Sequence, residues 1–307
     1  MPPDDLLRLR IVPPVRHDLG FAIDVFLTAK EAKRCTDVTL KHYRWTLERF
    51  TAWLIEHGIT TADGITAHHI RTFLAELQRN DASSWTVHDF ARVIKTFVRF
   101  LHTEEMIPTN PFARVEMPVL DDEILPAFDV ADVQSLLEAC KTDRNRAIVL
   151  VLLDTGVRVS ELVHLNIGDV NTKTGAVMVR KGKGRKDRMT FLGARSRRVL
   201  FKYLTRRGTT QTDDPLFITE TTSQRLTVNG LQTMIHRLGE RAGVEHCHPH
   251  TFRRTFALWS LRVGMNIYAL QKIMGHSDLT ILRKYLALVQ EDLQQAHRQH
   301  GAVDNML

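Results

Sequence analysis

The chain of 307 residues is longer than a typical small domain, so two domains are the expected organisation. Its composition, 43% hydrophobic and 25% charged, is ordinary for a globular protein; no apolar run approaches the length of a membrane span, and the N-terminus lacks the apolar core of a signal peptide. The net charge of +7 favours a polyanionic partner, with nucleic acid ahead of an anionic membrane. Three widely spaced cysteines, Cys35, Cys140 and Cys247, indicate a reducing cytoplasm and no disulfide framework.

The first hundred residues are predicted to form a compact bundle of four helices, preceded by a proline-rich leader of 16 or so residues. Apolar side chains recur every three or four positions in the second and fourth helices, which predicts that each helix buries one face. The aromatic residues on these faces are interpreted as core, and Asp37 is interpreted as the N-cap of the second helix. The predicted helices cover residues 21–32, 37–57, 67–78 and 84–101.

Residues 103–126 are interpreted as a linker, because four prolines interrupt any helix there. The remainder is predicted to be mainly helical with a small antiparallel sheet. Two strand-like segments flank KGKGRKD, which is typical of a β-hairpin turn. The predicted helices cover residues 130–140, 143–154, 159–165, 195–205, 228–242 and 267–274, and the predicted strands cover residues 176–180, 188–192 and 216–218.

The segment 246–285 contains the side chains needed to attack a phosphodiester with a protein hydroxyl. His250 and Arg253 are three positions apart, and Tyr285 follows His276 by nine positions. A tyrosine can attack, an arginine offers a planar fork of donors to two phosphate oxygens, and histidines move protons or donate hydrogen bonds. Each residue taken singly also has a structural interpretation, as a core or capping histidine, a packed tyrosine or a surface arginine.

Three segments of the chain, in this order, resemble the tyrosine site-specific recombinase family, which includes the phage integrases and the Xer-like enzymes. They are DTGVRVSEL, HPHTFRRTFA and LQKIMGHSDLTILRKY, with the basic glycine-rich turn between the first and the second. The resemblance extends from about residue 17 to residue 298. It implies a mainly α fold with a small antiparallel β-sheet, in which an N-terminal four-helix core-binding (SAM-like) domain precedes a tyrosine-recombinase catalytic domain. The implied divisions are a leader at 1–16, a core-binding domain at 17–105, a linker at 106–126 and a catalytic domain with a C-terminal oligomerisation helix at 127–307.

The resemblance also implies the catalytic residues. Arg158 and Arg253 are the implied phosphate-binding arginines, and His250 is the implied proton acceptor for the tyrosine hydroxyl. Lys183 aligns with the general acid of the family, but the spacing from Arg158 to the GKG motif is one residue longer than is common. Lys181 and Lys186 therefore stay open as alternatives. The implied catalytic set is Arg158, Lys183, His250, Arg253, His276 and Tyr285, with Glu161 in a supporting role.

By resemblance, the tyrosine forms a 3′-phosphotyrosyl link and releases a 5′-hydroxyl, so that strands are rejoined without ATP, metal or another cofactor. The implied partner is double-stranded DNA with an inverted-repeat core site. A homotetramer on two DNA sites is also implied, with the C-terminal helix exchanged in trans; packing of this helix within its own subunit is the alternative. A second recombinase or an accessory protein is a further candidate partner. Basic residues that could contact DNA, as an alternative to forming solvated faces, are Lys41, Arg44, Lys95, Lys181, Arg185 and Lys186.

Other interpretations remain open at this stage. A type IB topoisomerase would share the chemistry without strand exchange, a DNA-binding accessory protein would have lost it, and a basic DNA-coating protein would show no preferred site. His246, Cys247, His248 and His250 are metal-ligand types, but near-adjacent residues rarely converge on one ion. The turn GKGRK lacks the GK[ST] ending of a P-loop.

Overall fold

A computed structural model describes residues 17–121, 126–180, 187–208 and 211–275. The chain divides into two compact units, Met1–Glu123 and Ile124–Leu307. The fold is mainly helical with a small antiparallel sheet, as the sequence predicts. None of the helices within these ranges is long and apolar enough to cross a membrane.

Four α-helices form the described part of the first unit, residues 17–121, and polar side chains cap their starts. Asp18, Thr36, Thr66 and Ser83 each accept a hydrogen bond from a backbone N–H in the first turn of the helix that follows. The prediction of Asp37 as the N-cap of the second helix is wrong, because Thr36 holds the extended backbone and the capping bond. The helices are α1 (Leu19–Ala32), α2 (Asp37–Glu56), α3 (Ala67–Arg79) and α4 (Ser84–Thr103).

The core of the first unit is rich in aromatic rings. Phe26 is fully buried and packs edge-on against Phe97, with ring centroids 5.5 Å apart, while Phe50 packs against Phe73 at 5.0 Å. Trp45 and Trp85 are exceptions to the core interpretation, since they are 52% and 68% exposed. The predicted buried stripe of α4 is confirmed, and its members are Val87, Phe90, Val93, Ile94, Phe97, Val98 and Leu101.

Part of the segment that follows α4 packs onto the first unit. Met106, Ile107 and Phe112 are buried in its core, and a short 3₁₀ helix covers Pro111–Arg114. The guanidinium of Arg71 on α3 donates to the carbonyl of Arg114. These apolar side chains, which flank the first two prolines of the segment, therefore add to the core.

The second unit is built around α6 (Asp143–Thr155), which is buried on nearly all sides from Ala147 to Leu152. It packs against α8 (Ala194–Arg207) and α10 (Pro249–Arg262). Strands β1 (Ala176–Val179) and β2 (Arg188–Phe191) pair antiparallel, with Val177 opposite Thr190. The remaining helices are α5 (Val130–Glu138), α7 (Val159–His164), α9 (Val228–Ala242) and α11 (Ile267–Met274).

The third predicted strand, at residues 216–218, does not form a strand. Only isolated bridges occur there, between Asn166 and Pro215 and between Ile218 and Arg225. The N–H of Leu216 donates to the carbonyl of Leu165 at 2.8 Å, whereas the carbonyl of Phe217 accepts from Leu226 at 3.1 Å. Because successive residues bond to different segments, no continuous ladder develops.

Gly156, which ends α6, provides a test of backbone strain. It has φ of +57°, and a Cβ at this position would lie 2.2 Å from Cδ1 of Phe256. We expect Gly156→Ala to lower the free energy of unfolding by about 3 kcal/mol or more, since it adds a steric overlap to left-handed strain. Urea denaturation followed by circular dichroism measures this change.

Gly243→Ala is the matched control. Gly243 also ends a helix, with φ of +66°, but a Cβ there meets no atom within 4 Å. This variant should lose only about 1 kcal/mol. Equal losses in the two variants would contradict the role assigned to the contact with Phe256.

Candidate active site

A tight turn between α6 and α7 positions Arg158. Gly156 adopts the left-handed conformation that ends α6, and Arg158 is the extended N-cap residue of α7. The backbone N–H of Arg158 donates to Oε2 of Glu161 at 2.8 Å, so the first turn of α7 holds the carboxylate beneath the arginine. The DTGVRVSEL segment therefore forms one rigid corner.

The carboxylate of Glu161 lies between two guanidinium groups. Nη1 of Arg158 donates to Oε1 at 2.9 Å, while Arg188 donates to Oε1 at 2.8 Å and to Oε2 at 2.6 Å. The side chains of Glu161 and Arg188 are 8% and 9% exposed, whereas that of Arg158 is 25% exposed. Only Arg158 of the two arginines therefore presents a substantial surface to a ligand.

The environment strongly favours the charged form of Glu161. Burial by itself raises the pKa of a carboxyl group. This effect is outweighed by the hydrogen bonds from Arg188 and from the backbone N–H of Arg158, together with the charges of both arginines, which lower the pKa of Glu161 to about 2. Glu161 is thus a fixed negative charge at neutral pH.

Three arginines converge on the last carbonyl groups of α11. Arg188 Nε donates to Ile273 O at 2.9 Å, Arg253 Nη2 donates to Met274 O at 2.7 Å, and Arg158 Nη2 donates to Gly275 O at 3.3 Å. Cations are favoured here because the final carbonyls lack helical partners and carry the negative end of the helix dipole. The three arginines come from β2, α10 and the corner before α7, so the end of α11 joins three segments.

The motif on α10 brings Arg253 and His250 to this site. Arg253 is 7% exposed, and besides Met274 it donates to the carbonyl of Gly156. Much of the His250 side chain is exposed to solvent, but the part that packs against the protein is desolvated. This desolvation, followed by the charges of Arg254, Arg253 and Arg158, lowers the pKa of His250. His250 is therefore neutral at physiological pH and able to accept a proton.

The structure brings together Arg158, Glu161 and Arg253. His250 lies close enough for the charges of both arginines to lower its pKa. The other predicted site residues of this unit lie outside the described residues, and they are Lys181, Lys183, Arg185, Lys186, His276 and Tyr285. The predicted C-terminal helix also lies outside them.

Three candidate DNA contacts lie in the first unit. Lys41 is exposed. Arg44 pairs with Asp24 at 3.1 Å and with Glu48 at 3.7 Å, and Nζ of Lys95 lies 5.7 Å from the ring centroid of Phe112. All three lie on exposed helix surfaces.

Arg188 is the site residue that sequence reasoning missed. It begins β2 and points to the same side of the strand as the fully buried Thr190. An arginine on the inward face of a short strand requires a buried acidic partner. Strand alternation could have signalled its importance, whereas the identity of its partner depends on tertiary contacts.

The cluster of metal-ligand types before α10 is partly drawn into the core. Cys247 is buried, its Sγ lies 3.5 Å from Ile235 O, and burial raises the pKa of the thiol to about 12. The thiolate that a metal requires is therefore disfavoured. In the described part of the chain, no three His, Cys, Asp or Glu side chains are grouped to hold an ion.

The pKa of Glu161 predicts a pH dependence of stability. A carboxyl group whose pKa falls from the ordinary 4.5 to about 2 on folding stabilises the fold above pH 4.5 and loses this contribution as the pH falls towards 2. We expect the advantage of the native protein over Glu161→Gln to shrink by about 3 kcal/mol across this interval. Urea titrations at several pH values measure it.

Exposed Glu138 on α5 supplies the control. Glu138→Gln should follow the native pH profile. Parallel profiles for the native protein and Glu161→Gln would refute the assignment of a buried, ionised carboxylate.

Comparison with known protein families identifies both parts of the chain. The profile of the phage integrase family matches residues 127–291, which is more than half of the chain. The profile described as phage integrase, N-terminal SAM-like domain, matches residues 26–105. The first match contains Arg158, Glu161, Arg188, His250 and Arg253.

Individual relatives agree with these matches. The chain is 29% identical to tyrosine recombinase XerC of Oceanobacillus iheyensis, covering 92% of this chain and 96% of the relative. It is 32% identical to tyrosine recombinase XerD of Pseudomonas aeruginosa, covering 91% and 96%. A Tn1549 transposon integrase solved with transposon right end DNA has the same fold, with a TM-score of 0.74 at 18% identity over 94% of this chain and 99% of the other. The chain therefore belongs to the phage integrase family and is a tyrosine recombinase.

Proposed function

We propose that this recombinase cuts and rejoins DNA with Tyr285 as nucleophile, Arg158 and Arg253 as phosphate-binding groups and His250 as general base. The observation that carries the assignment is the convergence of both arginines on the end of α11. Gly275 is the last residue of that junction, so the chain passes from it directly to His276 and, nine positions later, to Tyr285. His276 is assigned as a third donor to the phosphate.

The arginines supply the positive charge that phosphoryl transfer requires. A phosphodiester repels nucleophiles, and negative charge builds up on its non-bridging oxygens in the transition state. Arg158 exposes a quarter of its side chain beside the buried Arg253. Because their guanidinium groups are held by backbone carbonyls and Glu161, little reorganisation is needed when the phosphate binds.

The first chemical step forms one bond and breaks one. The hydroxyl oxygen of Tyr285 attacks phosphorus, and the bond from phosphorus to the 5′ oxygen breaks. His250, kept neutral by its lowered pKa, accepts the phenolic proton, while Lys183 protonates the leaving 5′ oxygen. The product is a 3′-phosphotyrosyl ester, and attack by a 5′-hydroxyl reverses the step, so the ester conserves the bond energy and no ATP is consumed.

The substrate in this proposal is double-stranded DNA with an inverted-repeat core site. Related transposon integrases are complexed with DNA in solved structures, and the net charge of +7 suits a polyanion.

We assign a homotetramer on two DNA sites, with the C-terminal helix exchanged in trans. The assigned location is the cytoplasm, and a second recombinase or an accessory protein is a further partner. The proposed divisions are 1–16, 17–105, 106–126 and 127–307.

Covalent capture tests the nucleophile. Native protein is incubated with sheared genomic DNA from the source organism and denatured in detergent, and the attached DNA is sequenced. We expect adducts at an inverted-repeat site with native protein and none with Tyr285→Phe, because phenylalanine lacks the attacking oxygen. Tyr268→Phe, a change at an exposed tyrosine on α11, should form adducts normally. Adducts with Tyr285→Phe would refute the assignment, and adducts at scattered positions would indicate a topoisomerase.

Leaving-group chemistry tests the lysine. Lys183→Ala should slow cleavage of normal DNA by roughly 100-fold or more, the usual contribution of a general acid. It should cleave DNA carrying a bridging 5′ sulfur at close to the native rate, because a thiolate leaves without a proton. Lys181→Ala and Lys186→Ala are the matched controls. If the 5′-sulfur substrate selectively rescued one of these variants, the role of general acid would pass to that lysine.

A further inference from the structure

Arg188 lies beside the candidate phosphate-binding arginine Arg158, since both donate to Glu161, yet it has no role in the reaction proposed above. It donates twice to Glu161 and once to Ile273 O, and it is almost completely buried. Its aliphatic stem also lies against Gly275, where a Cβ would come within 2.9 Å of Cδ of Arg188. All three guanidinium nitrogens of Arg188 thus already donate to protein oxygens.

We propose that Arg188 is a positioning residue that neutralises Glu161 and thereby keeps Arg158 available to the scissile phosphate. The inference deepens the proposed function, because it takes Arg158 to be a phosphate ligand. The Glu161 carboxylate is partitioned between these two arginines.

The hydrogen-bond geometry supports this partition. Arg188 uses both terminal nitrogens on the two carboxylate oxygens, which is the bidentate arrangement. The side chain of Arg158 donates to Oε1 of Glu161, and its Nη2 donates to Gly275 O at the longer distance of 3.3 Å. Arg158 reaches Oε2 only through its backbone N–H. If Arg188 were absent, Oε2 would lose its side-chain donor, and Arg158 would be the adjacent guanidinium able to replace it.

The charge balance leads to the same conclusion. Arg158, Arg188 and Arg253 contribute three positive charges around the single negative charge of Glu161, which leaves a net charge of +2. Removal of Arg188 lowers this sum to +1 and leaves Glu161 to be neutralised by Arg158 alone. A buried carboxylate attracts its remaining partner strongly, since water does not screen it. The positive potential at the phosphate would fall accordingly.

Arg188 also links β2 to the end of α11. β2 begins at Arg188, five residues after Lys183, and Arg188 Nε donates to Ile273 O at 2.9 Å. One side chain therefore connects the strand that follows Lys183 in sequence with the helix end that precedes His276. Groups that act on opposite sides of one phosphate benefit from such a shared support.

The test measures the rate of single-turnover cleavage at saturating protein, on a DNA duplex whose 5′ product diffuses away after cleavage. DNA affinity is measured separately, and circular dichroism checks that each variant is folded. Arg188→Met should bind DNA within a few-fold of native protein but cleave about 100-fold more slowly, the size of effect seen when one preorganised donor is lost. Arg188→Lys, which keeps the charge but not the bidentate geometry, should fall between the two.

A double variant separates positioning from a merely structural role. In Glu161→Gln/Arg188→Met the carboxylate that would draw Arg158 away is gone, so cleavage should be about tenfold faster than in Arg188→Met alone. The double variant also avoids a buried unpaired charge, so it keeps the test valid if Arg188→Met does not fold. In that event, the double variant is compared with the native protein, and it should cleave only about tenfold more slowly, because a loss of about 100-fold followed by a recovery of about tenfold leaves that deficit.

Arg180→Met is the matched control. Arg180 follows β1, and its Nε donates to the buried carboxylate of Asp169 at 2.6 Å. The Arg180→Met variant should cleave DNA at the native rate. Native cleavage by Arg188→Met, or a double variant slower than Arg188→Met, would overturn the role of Arg188. Adducts with Tyr285→Phe would instead overturn the proposed chemistry, so the two failures are distinguishable.

Discussion

The buried carboxylate of Glu161, held between two guanidinium groups, is the interaction on which the catalytic unit depends. A charge removed from water is costly unless it is paired and hydrogen-bonded, and here both oxygens accept two bonds each. Those bonds come from the corner before α7 and from the first residue of β2. The carboxylate thus connects two parts of the chain that local structure alone would leave independent.

The end of α11 extends this connection to a third segment. Its final carbonyls have no partners within the helix, and three arginine side chains satisfy them. The arginines gain fixed orientations, and the helix end gains a fixed position. Residues that are far apart in sequence therefore share one rigid junction, from which the chain continues towards His276 and Tyr285.

The rigidity of this junction has its origin in the core. α6 is buried on nearly all sides, so Gly156 at its end cannot move without disturbing the packing around it. The carbonyl of Gly156 accepts from Arg253, and the residue after next is Arg158. Hydrophobic packing of one helix thereby sets the separation of two arginines.

Local features of the sequence determined most of the helices and the candidate catalytic motif. Side-chain periodicity and caps predicted the bounds of α9 and α11 as observed, because these signals act within one or two turns. Arg158, His250 and Arg253 followed from the sequence motifs, and the structure brings them together. Tertiary structure alone decided the position of Arg188, whose carboxylate partner lies 27 residues away. It also decided that residues 216–218 form bridges instead of a strand. A pairing across such a distance depends on how the core is packed, which no local pattern encodes.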